Sequence, residues 1–447
     1  MLARALLVLL PALLSVVMAC GPRSRHDLPW VSDQVEQRTG HVLRETVTPD
    51  AAVPTGVALD DGLSQDEAVA LALWNNATFL EALADLGFAR SALIQAGLLT
   101  NPVFSVLFPL GPKQLEFALK QPVEALWLRP KRVAAARLDA QQVAERLVQS
   151  GLDVARDAKV KWTELHLARE RLALADEGVE VARRVGALSE ARLSAGDVSA
   201  LDVAAARADA LAAEEEVVRL RQEEVVAEQQ LRSFTGLHMP SGSLRLEEPV
   251  RVAAPSHDVA PLVDLAFAAR PDLRAAELTV EVAGERAGLS RWEVLSLAGI
   301  ADAKHEGSKG LLVGPGLEVG IPIFDHNQAG MAHADAEVVR AVRAEAATRD
   351  RIALEVREAA ASYERARQRS ELLDTRIVPE LERVVQRAEH AWDAGETSRL
   401  ESLAARAQLL RARVRQAEAA AELSTSRAEL ERSVGYRLDA PERAASR

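Results

Sequence analysis

One stretch of this sequence occurs twice, and it limits the folds open to the rest. Residues 190–203 read Glu-Ala-Arg-Leu-Ser-Ala-Gly-Asp-Val-Ser-Ala-Leu-Asp-Val, and residues 389–402 read Glu-His-Ala-Trp-Asp-Ala-Gly-Glu-Thr-Ser-Arg-Leu-Glu-Ser. Both contain Ala-Gly, an acidic residue, a variable residue, Ser, a variable residue, Leu and a second acidic residue, at 195–202 and 394–401. Each copy sits between long, alanine-rich, glycine-poor segments. Gly196 and Gly395 can each end a helix in the left-handed conformation, which costs glycine little. Ser199 and Ser398 then stand where an outgoing helix needs a cap. The pattern therefore predicts two hairpins of long helices, made by an internal duplication.

The flanking segments support this reading. From Arg132 to Ser194 there is no proline and little glycine. Leu165, Ala168, Leu172, Ala175, Val179 and Ala182 step by three and four, as a coiled-coil seam does. Val160, Leu167, Leu174, Val181 and Leu188 recur every seven residues on an adjacent side. Two seams on one helix suit a ring of helices better than an isolated pair. Roughly 60 residues of helix would span roughly 90 Å. The segment 331–393 repeats the plan, with Pro379 inside it predicting a kink, and residues 199–234 and 398–434 are the returning helices. Phe234-Thr235-Gly236 matches Ser433-Val434-Gly435 at the same offset of 199 that relates Gly196 to Gly395.

Between helical segments the period changes. A helix is predicted to start at Ser64, where Ser64 and Glu67 have capping-box spacing, and to run to about Gly97. After Asn101-Pro102, Phe104, Val106 and Phe108 alternate with Val103, Ser105 and Leu107. Leu115, Phe117 and Leu119 alternate with Glu116, Ala118 and Lys120. This period of two predicts a hairpin over about 103–121, turning at 109–112. A second strand pair is expected over about 292–323, at 292–302 and 315–323, with residues 303–314 as its turn. Leu317, Val319 and Ile321 alternate there with Glu318, Gly320 and Pro322.

The chain carries a net charge of −12, which argues against a nucleic-acid partner. Its one cysteine, Cys20, excludes an intrachain disulfide. Residues 5–19 form an apolar run behind Arg4, short for a bilayer span and suited to a signal-peptide core. The run ends Val17-Met18-Ala19-Cys20, similar to a bacterial lipoprotein signal cleaved before a lipid-bearing cysteine; the alternative is an ordinary signal cut elsewhere. Gly21 after the cysteine is compatible with delivery to the outer membrane. The expected organisation is a signal peptide (1–19), a lipidated extended arm (20–62), a first repeat (63–236), a linker (237–260), a second repeat (261–435) and a flexible tail (436–447).

The order of helix, β-hairpin, long helix, glycine tip and returning helix, twice over, resembles the TolC-like outer membrane efflux factor family across about residues 60–435. The paired tips carry the resemblance, together with Gly320-Ile321-Pro322-Ile323-Phe324-Asp325-His326-Asn327-Gln328. That segment, with Pro130-Lys131-Arg132, looks nearest the branch serving heavy-metal pumps. That branch usually has Arg at the place of His326, and Gly-Gly at that of Arg129-Pro130. The resemblance implies a mainly α fold with a small β part, assembled as a homotrimer. Twelve strands would form one membrane barrel, continued by a periplasmic α-helical barrel. Leu115, Phe117, Leu119, Leu317, Val319 and Ile321 would then face lipid, and Glu116, Lys120 and Glu318 the lumen. Strand alternation taken alone favours a soluble hairpin packed on helices; the duplication reverses that preference.

The resemblance further implies a passive duct, fed by a periplasmic adaptor and an inner-membrane pump of the resistance–nodulation–division type. Its cargo would be metal ions or drugs. Gly196, Ser199, Leu201, Gly395, Ser398 and Leu400 would meet the adaptor. Asp197, Asp202, Glu396 and Glu401 would narrow the pore entrance, with Arg192 and Arg399 as ionic partners. These carboxylates could equally be solvated helix-end groups, favoured there by the helix dipole. An exit duct for type I protein secretion and a structural periplasmic coiled-coil lipoprotein are the alternative readings. No nucleophile elbow, phosphate loop or metal-ligand spacing appears, and neither enzyme activity nor a cofactor is expected. His326 and His333 stand seven apart and His390 lies near the second tip, without ligand partners at helical spacing.

Overall fold

The computed structural model describes residues 22–44, 52–58, 61–108, 116–237, 243–248, 258–306 and 310–438. The expected signal peptide, Cys20, Leu115, the turn at 109–112 and the end of the tail lie outside them. Helices α1 (Leu28–Thr39), α2 (Gln65–Asn75), α3 (Ala77–Leu83) and α4 (Asp85–Gly97) precede strands β1 (Val103–Leu107) and β2 (Glu116–Pro122). The long helix α5 (Ala125–Ser194) and its return α6 (Ala200–Thr235) follow. The second half repeats this with α7 (Val259–Ala269), α8 (Pro271–Trp292), β3 (Ser296–Glu306), β4 (Gly310–Gly320) and α9 (Gln328–Leu372). A π turn (Leu373–Ile377), α10 (Val378–Asp393) and α11 (Arg399–Val434) complete it.

The predicted caps form. Glu67 N–H donates to Ser64 Oγ at 3.2 Å, and Ser64 N–H donates to Glu67 Oε2 at 2.9 Å. Gly236 and Gly435 end α6 and α11 in the left-handed conformation, at φ 68° and 87°. α6 and α11 are each 36 residues long.

Four expectations are corrected. The helix predicted over 64–97 breaks twice: at Asn76, which leaves the helical conformation and whose Oδ1 caps α3 by accepting from Phe79 N–H at 3.0 Å, and at Ala84. The arm is not wholly extended: α1 lies within it, with Val31 and Val35 fully buried. α5 begins before Arg132 and takes in Pro130, which lies in its second turn and offers no N–H to the Leu126 carbonyl. The second strand pair is shifted, and the expected turn at 303–314 is mostly strand. Gly310, Gly314 and Gly316 read as turn residues, yet they pair in β4 with Glu306, Asp302 and Ile300. Pro379 does perturb its helix, as a π turn just before it. Proline offers no N–H to the carbonyl of Thr375, and its ring crowds that carbonyl.

The chain divides into two compact units. The first holds residues 1–31, 82–148 and 271–350, including the sheet. Its helical core pairs α5 with α8. Val133, Ala140, Ala144 and Leu147 are buried on one side, and Ala275, Leu278 and Val282 on the other. Gln142 Nε2 donates to Thr279 Oγ1 between them.

The second unit holds residues 32–81, 149–270 and 351–447. Here the two seams of α5 find two partners. Leu165 and Trp162 pack with Leu231 of α6 and with Leu63, Ala68 and Leu71. Trp162 Nε1 donates to Leu63 carbonyl at 2.7 Å. Leu174, Val181 and Val185 pack with Leu403 and Leu410 of α11. Leu244 and Leu246 of the linker join the first cluster, and Leu246 bridges to Leu63.

Candidate functional site

The sheet is antiparallel in the order β1-β2-β3-β4. Residues paired across an antiparallel register share a face. Val103 pairs with Lys120, Lys120 with Ile300, and Ile300 with Gly316. That face carries Ser105, Glu116, Lys120, Asp302, Lys304 and Glu318, with Val103, Leu107 and Leu312 among them. The other carries Phe104, Val106, Phe117, Leu119, Val313, Leu317 and Val319, following the same register. The rings of Phe104 and Phe117 stack at 6.1 Å on this apolar face. Phe104, Val313 and Leu317 are 62–68% exposed, too much for a soluble sheet packed on helices. The sequence separated these two sets correctly where they lie in the described strands. Ile321 falls just past β4 and is also exposed.

The stretch after β4 is a shaped junction. Asn327 is the one described non-glycine residue at positive φ, 58°. Its Nδ2 donates to Ser290 carbonyl at 2.7 Å, tying the start of α9 to the end of α8. A Cβ at Gly330 would collide with the Asn327 side chain. This accounts for Asn and Gly in the 320–330 stretch, a role the sequence reading did not assign to either residue. Phe324 is 90% exposed, and His326 N–H donates to Gln328 Oε1 at 2.7 Å. Among the described residues no group of His, Cys, Asp and Glu forms a metal site.

The two helical tips share one backbone. Gly196 and Gly395 sit at φ 83° and 74°. Asp197 N–H reaches back to Arg192 carbonyl at 2.9 Å, and Glu396 N–H to Ala391 carbonyl at 2.8 Å. Ser199 and Ser398 cap the outgoing helices, accepting from the N–H groups of Asp202 and Glu401 at 3.2 and 3.3 Å.

The side chains around the two tips differ. Asp202 completes its capping box through Ser199 N–H at 2.9 Å and Ser199 Oγ at 2.7 Å. These bonds, the hydroxyl first, hold its carboxyl below the usual Asp range. Glu401 instead accepts from Thr397 Oγ1. Arg399 lies over Trp392, 4.1 Å from the ring centroid, while Arg192 makes no such stack. Asp197 and Glu396 are exposed and have no ion-pair partner among the described residues. Leu201 is 77% exposed, whereas Leu400 is half-buried. The sequence reading passed over Trp392, although an aromatic seven residues before Arg399 is a visible signal. It also passed over the 2.8 Å pair of Glu190 with Arg207, which ties the incoming helix to the outgoing one.

An oily-faced open sheet and two capped helical hairpins, without a catalytic constellation among the described residues, define the class: a channel subunit of the outer membrane, with a periplasmic extension. The chain matches the family described as outer membrane efflux protein over residues 118–237 and 262–436, and it belongs to that family. It is a non-enzymatic transporter, the outer membrane efflux channel of tripartite pumps. Among its relatives is the cobalt-zinc-cadmium resistance protein CzcC of Cupriavidus metallidurans, 24% identical over 366 residues, covering 79% of this chain and 85% of that one. The fold is shared with CusC at a TM-score of 0.67 and 17% identity, covering 88% of this chain and 99% of that one. It is shared with the Campylobacter jejuni CmeC outer membrane channel at 0.68 and 15%, covering 87% and 90%.

Proposed function

We propose that three copies of this chain close into one hollow duct that carries metal ions across the outer membrane. The exposed apolar face of an open four-stranded sheet carries the reading. Such a sheet cannot end in lipid, where every edge N–H and C=O needs a partner. Three copies supply twelve strands, an even number within the range of outer-membrane barrels. The apolar face then meets lipid and the charged face lines the lumen. The likeness to CzcC, a cobalt-zinc-cadmium resistance protein, favours divalent metal cations as cargo; the partners we propose are an adaptor and a resistance–nodulation–division pump. The expected organisation stands with this reading: signal peptide, N-terminal arm, repeats at 63–236 and 261–435, linker and tail.

Lipid at Cys20 is part of the proposal. Pro22 packs against Gly97 so closely that a Cβ there would lie 2.5 Å from Pro22 Cδ. Arg129 Nε holds the Gly97 carbonyl at 2.6 Å. Gly97 ends the helix that leads into β1, so Pro22 lies beside the root of the sheet, and two residues of chain reach at most about 7 Å. Acyl chains attached there would enter the adjacent leaflet.

At the tips, Gly196, Ser199, Leu201, Gly395, Ser398 and Leu400 form the adaptor contact. Of the candidate gating groups, Asp202 is engaged in its capping box, Glu401 with the Thr397 hydroxyl, and Arg399 is held on Trp392. Asp197, Glu396 and Arg192 are therefore the charges left to link neighbouring copies across the entrance.

Deletion of the gene tests the reading. Sensitivity to cobalt, zinc or cadmium should rise, and the purified protein should have the mass of a trimer in detergent and conduct ions in planar bilayers. Unchanged metal and drug tolerance with loss of a secreted polypeptide would replace it with protein secretion. A monomer without conductance would replace it with a structural lipoprotein.

A further inference from the structure

On the charged face of the sheet, two of the three carboxylates with described side chains already have lysine partners. Lys120 Nζ lies 2.6 Å from Glu318 Oε1, and Lys304 Nζ lies 3.6 Å from Glu116 Oε1. Asp302 has no ion-pair partner among the described residues. The register explains why. Across the ladder Asp302 faces Ala118 on one side and Gly314 on the other, and neither can reach or cover a carboxylate. The nearest lysines on that face, Lys120 and Lys304, are held by Glu318 and Glu116. Of the described charges on this face, the two pairs cancel and Asp302 alone remains.

We propose that Asp302 sets the charge preference of the barrel lumen, so that cationic cargo passes more readily than anionic cargo. The inference rests on the three-copy reading above and deepens it. Three-fold symmetry would place three Asp302 carboxylates at one height of the lumen, each bare on both flanks. The two ion pairs contribute little net field, because opposite charges so close cancel at the distance of a solute on the axis. The fixed negative ring raises the local concentration of cations and lowers that of anions.

The test places a reporter thiol where the register puts it opposite Asp302. In Ala118→Cys, full-length trimer in detergent is treated with a cationic and an anionic methanethiosulfonate of similar size, and modification is read at residue 118 by peptide mass. A carboxylate about 5 Å away in water changes each rate roughly threefold in opposite directions, so the ratio of cationic to anionic rates shifts about tenfold. That ratio should fall about tenfold when Asp302→Asn is added and should be restored by Asp302→Glu. A ratio unchanged by Asp302→Asn in a reactive, trimeric protein would overturn the role of Asp302 and leave the channel reading intact. A residue 118 that neither reagent reaches would remove the polar face from the lumen, overturning both. A monomeric protein would sink the three-copy reading first.

Discussion

The most demanding test of the fold concerns one carboxylate oxygen shared by Arg270 and Arg432, with Arg351 3.9 Å from the other oxygen. Arg270 stands between α7 and α8 with its side chain 0% exposed. Its Nη1 lies 2.6 Å from Glu355 Oε2 on α9 and donates to Ser433 carbonyl on α11 at 3.2 Å. Glu355 Oε2 also takes Arg432 Nη1 at 3.0 Å, while Arg432 Nε holds Asp153 Oδ1 at 2.8 Å. Glu355 is 25% exposed, so water reaches it and does not reach Arg270.

The two ends of the pair are therefore unequal. Replacing Glu355 by Leu takes a carboxylate from the buried guanidinium, which keeps the Ser433 carbonyl, a loss of up to about 3–5 kcal/mol. Replacing Arg270 by Met leaves Glu355 with Arg432 and with water, and methionine can fill much of the vacated volume. That change costs about 1–2 kcal/mol. The double variant Arg270→Met, Glu355→Leu removes both charges, and Arg432 keeps Asp153. It should be more stable than Glu355→Leu alone, a coupling of about 1–3 kcal/mol. The midpoint of thermal loss of helical signal in detergent, at fixed protein concentration and scan rate, gives the order. Glu355→Leu should fall lowest, by roughly 3–5 °C for a chain of this size. Equal losses from the two single variants, followed by a simple sum in the double variant, would refute the argument.

The remaining predictions concern single contacts. The Ser199 bonds depress the Asp202 carboxyl, so their contribution is present above the unfolded carboxylate value and is lost as pH falls through the depressed one. Protection of the amides over residues 199–203, taken relative to the intrinsic exchange rate at each pH, should fall below about pH 4, and in Asp202→Ala it should already be low at about pH 7. Gly97→Ala should push Pro22 away, read as faster proteolysis of the N-terminal arm with helix content unchanged. Pro379→Ala should relax the π turn at 373–377 and slow amide exchange there, because the alanine supplies the backbone N–H that Pro379 lacks. Trp392→Ala should free Arg399 and leave the Ser398 cap in place. Tip-directed crosslinking with unchanged protection of Glu401 N–H would show it, and loss of that protection would count against it.

Much of the fold could be read from residue order because it is local. The steps of three and four in α5, the glycines at 196 and 395, and the Ser64 and Ser199 caps are set within a few residues of themselves. Two of the errors came where a distant partner overrides local preference. Gly310, Gly314 and Gly316 carry turn chemistry, but eleven consecutive register pairs with β3 extend the strand through them, as close backbone approach allows for glycine. The arm at 21–62 has the prolines and glycines of a linker. Its Val31 and Val35 are buried nonetheless, and Arg38 donates to Ala269 carbonyl at 3.3 Å.

The same division holds for the site. That Lys120 and Glu318 share a face follows from alternation within each strand. That they neutralise one another, while Asp302 stays unpaired, follows from the register joining β2, β3 and β4. Lys120 and Glu318 are 198 residues apart, and their meeting depends on how two halves of a duplicated chain align. A slip of one residue between β2 and β3 would turn Asp302 to the face of Phe117 and Leu119, where a carboxylate in lipid is costly. The oily face thus fixes the register. The register decides which lumen carboxylates are neutralised. The one it leaves without a partner gives the duct its charge preference.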